Sequence, residues 1–243
     1  MINKSIHYIW LGKKEMPKSY KISRESLKKF AKDFEVKVWT ENELSKFDLP
    51  IYFYKLMNEK KFALASDIYR MHILNKYGGI YFDTDQILIN SIDDLLENKM
   101  FISRYHEVSD YYGFGLLGVV PKHIFLEKMI DYYNNIDTDK YIIINKIGSE
   151  IINYMLHVKD GIENKKEVKI NNEIKILDQE YFYPLTENDY RKNTRSYHMA
   201  NTSWIPWYRK ALYNMPFYTQ IKNFIKSILP NSLKKKIFKI EYL

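Results

Sequence analysis

Two aspartates, Asp83 and Asp85, stand one residue apart within the stretch YGGIYFDTDQILIN. The neighbouring residues are apolar and predict a strand over Ile80 to Ile89, on which residues i and i+2 point to the same face. Two ionised carboxylates that are buried together need a shared proton or a cation. Mg²⁺ and Mn²⁺ prefer oxygen ligands and often complete their coordination with a substrate's phosphate oxygens. The pair therefore predicts a divalent-metal site, although a bare Asp-x-Asp also fits two solvent-facing residues on a turn.

The helix predicted before this strand carries two more charged side chains, Asp67 and Arg70, in the stretch ALASDIYRMHILNKYGG. They are three residues apart and therefore lie on one face of the helix. A surface ion pair is one interpretation, and such pairs contribute little stability. The helix is apolar nearly all round, however, so at least one of the two groups must point into a cavity. We therefore expect Asp67, Arg70, Asp83 and Asp85 to converge where the helix meets the strand.

The block ALASDIYRMHILNKYGGIYFDTD resembles the central motif of glycosyltransferase family 32, the DXD-containing sugar transferases. That family is related to the catalytic domain of the clostridial glucosylating toxins and to the yeast initiating mannosyltransferases. Three further segments are similar to family segments: IHYIWLG at the first strand, EYFYPL over Glu180 to Leu185, and SYHMANTSW with its His-x-x-x-x-Ser-Trp pattern. The quoted segments thus extend from residue 6 to residue 204. It departs at Ile147-Gly148-Ser149, where relatives tend to carry Thr-Gly-Pro.

The resemblance implies a GT-A fold, a nucleotide-sugar donor, Mn²⁺ or Mg²⁺ as cofactor, and retention at the anomeric carbon. It implies that Asp85 binds the metal directly, that Asp83 holds the ribose or sugar and also contacts the metal, and that His198 is a remote metal ligand. A lone histidine is more often structural, and the neighbouring Ser203 and Trp204 are what favour the ligand role. The residues assigned to the nucleotide sugar are Trp10, Ser66, Asp67, Arg70, Asp83, Ser203 and Trp204.

These residue types suit the roles that the resemblance implies for them. Trp10 would stack on the base, but a tryptophan at a strand is also typical of ordinary core. The indole N–H of Trp204 and the hydroxyl of Ser203 can donate hydrogen bonds to a diphosphate. A metal stabilises the charge that grows as the sugar–phosphate bond breaks, and Arg70 adds a fixed donor. The predicted catalytic residues, with no nucleophile assigned, are Asp83, Asp85 and Arg70.

The remaining sequence predicts the elements that position these residues. Strands are predicted over Ser5 to Leu11 and Phe34 to Thr40 with an amphipathic helix between them, so the chain opens as β-α-β. The helix that carries Arg70 extends over Lys61 to Tyr77, and Gly78 with Gly79 supplies the backbone that ends it. The later predicted elements are strands at KMFISRY and GFGLLGVV, a helix entered through Pro121, a helix around Glu150 to Val158 and a strand near Lys169 to Leu177. Residues 1–204 are expected to form one GT-A-type α/β domain with a Rossmann-like mixed sheet flanked by helices.

The composition narrows the class of protein. With 243 residues, 46% of them hydrophobic and 28% charged, the chain has the composition of an ordinary globular protein. It contains no cysteine, which excludes a disulfide framework and a thiolate metal site. The first residues lack the features of a signal peptide, and no apolar run has the length of a membrane-spanning helix. We therefore expect a cytoplasmic protein.

The formal net charge of +8 is concentrated in a C-terminal tail, residues 205–243. The tail holds eight Lys and Arg and one Glu, whereas the other 204 residues hold 30 basic and 29 acidic side chains. The neutral body argues against nucleic acid as a partner. Aromatic and basic residues alternate in the tail, and its apolar positions are spaced as on one helical face, which predicts basic amphipathic helices. Such a tail either packs on its own domain or lies on an anionic membrane, peripherally at the inner face.

The function expected from these observations is metal-dependent, retaining transfer of a hexose from a nucleotide sugar, with a UDP-hexose favoured. The acceptor would be a saccharide or a lipid-linked saccharide in bacterial capsule, O-antigen or exopolysaccharide synthesis. One alternative is a phosphohydrolase of the haloacid dehalogenase type, but its Asp-x-Asp normally ends the first strand, and here two strands precede it. A second alternative is a non-catalytic module that binds a nucleotide sugar or nucleic acid.

Overall fold

The computed structural model of the protein describes residues 1–105, 112–135, 173–184 and 190–199. Within those residues the chain forms a six-stranded sheet, a two-stranded sheet and four α-helices. The strands of the large sheet, in chain order, are β1 (Ser5–Ile9), β2 (Glu35–Trp39), β3 (Gly79–Phe82), β5 (Met100–Arg104), β6 (Tyr112–Val119) and β7 (Ile174–Leu177). The small sheet is made of β4 (Gln86–Leu88) and β8 (Ser196–His198). The helices are α1 (Lys18–Phe30), α2 (Ile51–Asn58), α3 (Phe62–Tyr77) and α4 (Ile124–Asn134).

The large sheet is mixed, as the sequence predicts. Its strand order is β2-β1-β3-β6-β5-β7. β6 pairs antiparallel with both of its neighbours, whereas the other pairs in this sheet are parallel. Because β1 and β3 are parallel neighbours, their carboxyl ends lie at the same edge of the sheet, where open α/β sheets bind their ligands.

Helices and buried side chains cover both faces of the sheet. On one face, α3 packs against α2 and α4 over a core that includes Ile68, Met71 and Leu117. On the other face, α1 packs against β4 beside a second core cluster that includes Leu27 and Phe82. The predicted α/β class with helices flanking the sheet is therefore confirmed. Helix α2, which begins directly after Pro50, was not predicted from the sequence.

The turn that ends α3 requires glycine. Gly78 and Gly79 have φ angles of 64° and 93°, a region that side chains rarely adopt. A Cβ atom on Gly78 would lie 2.6 Å from Cδ of Pro121, and one on Gly79 would lie 2.6 Å from the carbonyl oxygen of Ser5. The predicted role of this pair is confirmed, and the tight turn leads the chain from α3 directly into β3.

The single strand predicted over Ile80 to Ile89 is wrong. β3 ends at Phe82, and the chain then turns, with the amide of Gln86 donating a hydrogen bond to the carbonyl of Asp83 at 3.0 Å. The residues after the turn form β4, which belongs to the other sheet. Both strands are fully buried, so the apolar run continues through the break and its pattern conceals the turn. Asp83 and Asp85 therefore flank Thr84 at the turn rather than facing one side of a strand.

Two further expectations concern the later elements. The helix expected to begin at Pro121 begins instead at Ile124, because the ring nitrogen Nδ1 of His123 caps it by accepting from the amide of Phe125 at 3.2 Å. The predicted helix at 150–158, the departure at 147–149 and the tail at 205–243 lie outside the described residues. In the part of the chain that the structure describes, no helix is both long and apolar enough to cross a bilayer.

Candidate active site

Two carboxylates and an imidazole meet at the turn between the two sheets. The Nε2 atom of His198 lies 3.1 Å from Oδ1 of Asp85 and 3.6 Å from Oδ2 of Asp83. One ligand atom from each residue lies within 4.8 Å of the other two. β8 brings the histidine here, because it pairs antiparallel with β4 so that His198 is opposite Gln86. The amide of Met199 also donates to the carbonyl of Asp85 at 2.9 Å.

The charges in this cluster are strongly coupled. Burial alone would lower the pKa of His198, but its hydrogen bonds and charge interactions with Asp83 and Asp85 raise it to about 10. Burial would raise the pKa of Asp83, but the hydrogen bond from His198 and the charge of Arg70 hold it below its usual range. Two carboxylates this close thus require positive charge between them, which the imidazolium supplies in this arrangement.

The cluster fits a divalent ion. Two carboxylates and one imidazole form an oxygen-rich donor set of the kind that Mn²⁺ takes and that Mg²⁺ accepts less readily. The strand behind the cluster leaves room for the carboxylate, because a Cβ atom on Gly115 would lie only 2.5 Å from Oδ2 of Asp83. The predicted metal ligands Asp83, Asp85 and His198 are thus brought together.

Arg70 lies buried beside this cluster, as the apolar character of α3 predicts. Its Nη2 atom is 2.8 Å from Oδ1 of Asp67 and 3.8 Å from Oδ1 of Asp83. Its Nη1 atom donates to the carbonyl oxygen of Phe114, and the guanidinium lies 3.9 Å from the centre of the Tyr81 ring. Only 5% of the arginine side chain is exposed, so the interpretation as a surface ion pair is wrong.

Tyr81 belongs to the candidate site but was not predicted from the sequence. Its hydroxyl donates a 2.6 Å hydrogen bond to Oδ1 of Asp83, and burial raises its pKa well above the usual value. It therefore stays protonated and acts as a fixed donor to the carboxylate. Tyr81 precedes Asp83 by two residues, so the period-2 pattern of a strand could have placed them on the same face.

The other predicted donor-binding residues are placed with differing contacts. The hydroxyl of Ser66 donates to the carbonyl of Ala63 at 2.7 Å and lies 3.5 Å from Nη2 of Arg70, so it belongs to the same group. Trp10 follows β1 at the sheet edge where Asp83 follows β3, and it is half-buried rather than core. Its indole nitrogen donates to the carbonyl of Lys14 at 2.6 Å. Ser203 and Trp204 lie outside the described residues.

Comparison with known proteins identifies the central region. Residues 17–102 match the family model described as "Glycosyltransferase sugar-binding region containing DXD motif". The Asp83-Thr84-Asp85 sequence is the DXD pattern within that range. Over 137 residues the chain is 34% identical to the Alpha-1,4-N-acetylglucosaminyltransferase of Homo sapiens, a match that covers 53% of this chain and 36% of that protein.

A second relative extends further along the chain. Over 185 residues this chain is 24% identical to the Mannosyl phosphorylinositol ceramide synthase SUR1 of Saccharomyces cerevisiae, a match that covers 75% of this chain and 48% of that protein. The matches thus span between 36% and 48% of the length of these two relatives. The solved structure of the PaToxG Glycosyltransferase superposes with a TM-score of 0.54 at 20% identity, covering 66% of this chain and 70% of that one.

Residues 17–102 therefore match the DXD-containing sugar-binding region of glycosyltransferases, and the fold that carries them resembles the GT-A type. The predicted family resemblance, fold class and transferase class are confirmed at this level. The match assigns the Asp-x-Asp pair to a sugar-transferase motif, which argues against the phosphohydrolase alternative.

Proposed function

We propose that the protein transfers a hexose from a nucleotide sugar, a UDP-hexose being favoured, with retention at the anomeric carbon. The observation that carries the proposal is the meeting of Asp83, Asp85 and His198 beside the buried Arg70 within a DXD-containing region. Asp85 and His198 would hold the ion, and Asp83 would contact both the ion and the ribose or sugar of the donor. Bound there, Mn²⁺ or Mg²⁺ would neutralise charge on the departing diphosphate.

Arg70 would stabilise the same charge without moving. The carbonyl of Phe114, Asp67 and the Tyr81 ring fix its guanidinium on different sides, so the charge does not need to reorganise during the reaction. Arginine presents planar N–H donors whose geometry matches phosphate oxygens. Asp67 orients the guanidinium, and its carboxylate is a suitable acceptor for sugar hydroxyls.

The acceptor and location are part of the proposal. A saccharide or lipid-linked saccharide is the proposed acceptor, used in assembling a bacterial capsule, O-antigen or exopolysaccharide, by analogy with sugar transferases. The basic tail, residues 205–243, would hold the protein peripherally at the inner face of the cell membrane, close to a lipid-linked acceptor. Retention would proceed without a protein nucleophile. The acceptor would attack the sugar on the same face from which the diphosphate departs.

Donor hydrolysis provides the test. The purified chain would be incubated with a panel of UDP- and GDP-sugars and Mn²⁺, and release of the nucleoside diphosphate would be followed. We expect release from one sugar or a small set, loss of that release in excess chelator, and its recovery when Mn²⁺ is restored. Release of inorganic phosphate from a generic phosphate ester, with no nucleotide sugar hydrolysed, would instead favour the phosphohydrolase.

A further inference from the structure

The pairing between β5 and β6 is interrupted beside the candidate site. Three regular pairs end at Ile102 with Leu117, and the next pair joins Arg104 to Tyr112. The residues of β6 in between, 113–116, are thus displaced from the regular pairing with β5, as in a β-bulge, whereas Leu116 still pairs with Phe82 of β3. Backbone N–H groups in such a stretch lose their strand partner and need another acceptor when they are buried.

The hydroxyl of Tyr183 supplies that acceptor. It accepts hydrogen bonds from the amides of Gly115 and Leu116, both at 3.1 Å. The ring reaches the strand because Gly113 has no side chain: a Cβ atom there would lie 2.0 Å from Cε2 of Tyr183. Tyr183 itself is held at its carbonyl, which accepts from Nε2 of Gln179 at 3.0 Å. One side chain thus takes the place of a missing strand partner.

The stretch of β6 that Tyr183 fixes also anchors two charged residues of the site. The carbonyl of Phe114 accepts from Arg70, and the carbonyl of Gly115 accepts from the amide of Asp83 at 2.7 Å. On its other side, the Tyr183 ring centre lies 6.0 Å from the ring centre of His198. Tyr183 therefore links, through one strand and one ring contact, the arginine, an aspartate and the histidine.

We propose that Tyr183 is a positioning residue for the metal and donor site. Its hydroxyl fixes the backbone of 113–116, and this backbone sets the positions of Arg70 and Asp83. The inference rests on the proposed function for its consequence in metal binding, whereas its structural part stands on the hydrogen bonds alone. Groups that orient metal ligands from behind affect metal affinity about 10- to 100-fold when they are removed.

The test compares Tyr183→Phe with Tyr69→Phe in the full chain. Each substitution removes one buried hydroxyl, but the hydroxyl of Tyr69 has no hydrogen-bond partner in the described part of the chain, and the Tyr69 ring packs against Trp39 and Phe47. We expect Tyr183→Phe to speed amide hydrogen exchange at Gly115 and Leu116. We also expect it to weaken Mn²⁺ binding, measured by electron paramagnetic resonance, by roughly tenfold. Tyr69→Phe should change neither.

Three experimental outcomes distinguish a positioning role of Tyr183 from general unfolding and from failure of the proposed function. If Tyr183→Phe binds Mn²⁺ as tightly as the wild-type protein, the positioning role is overturned. A loss of affinity that accompanies faster exchange across the whole sheet and a large fall in melting temperature would also overturn it, because the effect would then be general unfolding. If the wild-type protein neither binds Mn²⁺ nor hydrolyses any nucleotide sugar, the proposed function fails, while hydrogen exchange at Gly115 and Leu116 still decides whether Tyr183 holds the strand.

Discussion

The imidazole of His198 lies 3.1 Å from the carboxylate of Asp85, although the two residues are far apart in the sequence. A pair of short strands, β4 and β8, creates this contact by placing His198 opposite Gln86. The side chain of Gln86 strengthens the pairing, because its Nε2 atom donates to the hydroxyl of Ser196 at 2.6 Å and to the carbonyl of Phe182 at 2.9 Å. The histidine is therefore held by a buried polar network and not by its contact with the carboxylates alone.

Substituting Asp85→Asn tests the proposed metal site directly. The amide keeps the size of the side chain but removes its negative charge, so we expect turnover of the nucleotide sugar to fall at least ~10²-fold, the scale for losing a main electrostatic stabiliser. Mn²⁺ affinity measured by calorimetry should fall with it, while the circular dichroism spectrum is unchanged. Asp178→Asn is the matched control, because Asp178 is 67% exposed and pairs with Arg104. Full activity of the wild-type protein in excess chelator would contradict the prediction.

Substituting Arg70→Lys retains the positive charge and removes the planar guanidinium group with its several N–H donors. Lysine cannot hydrogen-bond to both Asp67 and the carbonyl of Phe114 with the same fixed geometry. We therefore expect a higher KM for the donor together with a lower kcat. Steady-state kinetics with the best donor from the screen provides the measurement. Arg104→Lys, which changes a more exposed arginine, should leave both constants unchanged. Kinetics of Arg70→Lys equal to the wild type would show that the guanidinium has no directed role.

Adding a methyl group at Gly115 should displace the Asp83 carboxylate. The new Cβ atom would lie 2.5 Å from Oδ2 of Asp83, so we expect Gly115→Ala to weaken Mn²⁺ binding by more than roughly tenfold. Gly118→Ala on the same strand is the control, because its Cβ atom would meet the Phe101 ring at 2.3 Å, in the core. That variant should lose thermal stability but bind Mn²⁺ normally if it is folded. Equal affinities in the two variants would argue that the carboxylate does not need this space.

The sequence correctly predicted the local geometry around Arg70. Spacing along α3 placed Asp67 and Arg70 on one face, and the apolar surroundings required that at least one of them be buried; both follow from residues close together in the chain. The helix end at Gly78 was equally local. These features depend on helical period and glycine chemistry, so they could be predicted without knowing the fold.

The parts that were missed depend on contacts between distant segments. The turn at Asp83 was hidden because the strands before and after it are both buried, so hydrophobicity gives no signal at the break. The pairing that brings His198 to the site could be expected only from a family resemblance, since short strands carry little register information. The carbonyl of Phe114, which accepts a hydrogen bond from Arg70, is a backbone group, so this contact cannot be inferred from residue types.

Acidification should destabilise the fold through His7. The pKa of His7 is lowered to about 4, mainly because the ring is buried. The hydrogen bond to the carbonyl of Gly78, at 2.9 Å, raises the pKa in part, and the charge of Lys37 lowers it further. The neutral ring also accepts from the indole of Trp39 at 3.1 Å. Because the folded pKa is below the unfolded value of 6.5, this stabilisation is complete above pH 6.5 and is lost as the pH falls towards 4. The maximum loss is about 3 kcal/mol.

Urea unfolding between pH 7.5 and pH 4.5 measures that loss. His7→Gln should have a lower free energy of unfolding at pH 7.5, because the contacts with Gly78 and Trp39 change, but a shallower decline with pH. His72, whose pKa burial also lowers to about 4, should continue to contribute a slope in that variant. A decline in His7→Gln as steep as in the wild-type protein would assign the acid sensitivity to other groups.

The tail, residues 205–243, provides the last prediction, which tests location rather than chemistry. Eight Lys and Arg against one Glu give this segment a net charge of +7. Each basic side chain near an anionic surface contributes on the order of 1 kcal/mol before screening, so the segment has enough charge for reversible attachment. We expect the full chain to sediment with vesicles that contain phosphatidylserine and to be released by high salt, since salt screens the attraction. Replacing Lys234, Lys235 and Lys236 with Gln should reduce binding at intermediate salt, whereas replacing the exposed Lys28 and Lys29 of α1 should not. Equal binding by both variants, or none by the wild-type protein, would favour a tail that packs on its own domain.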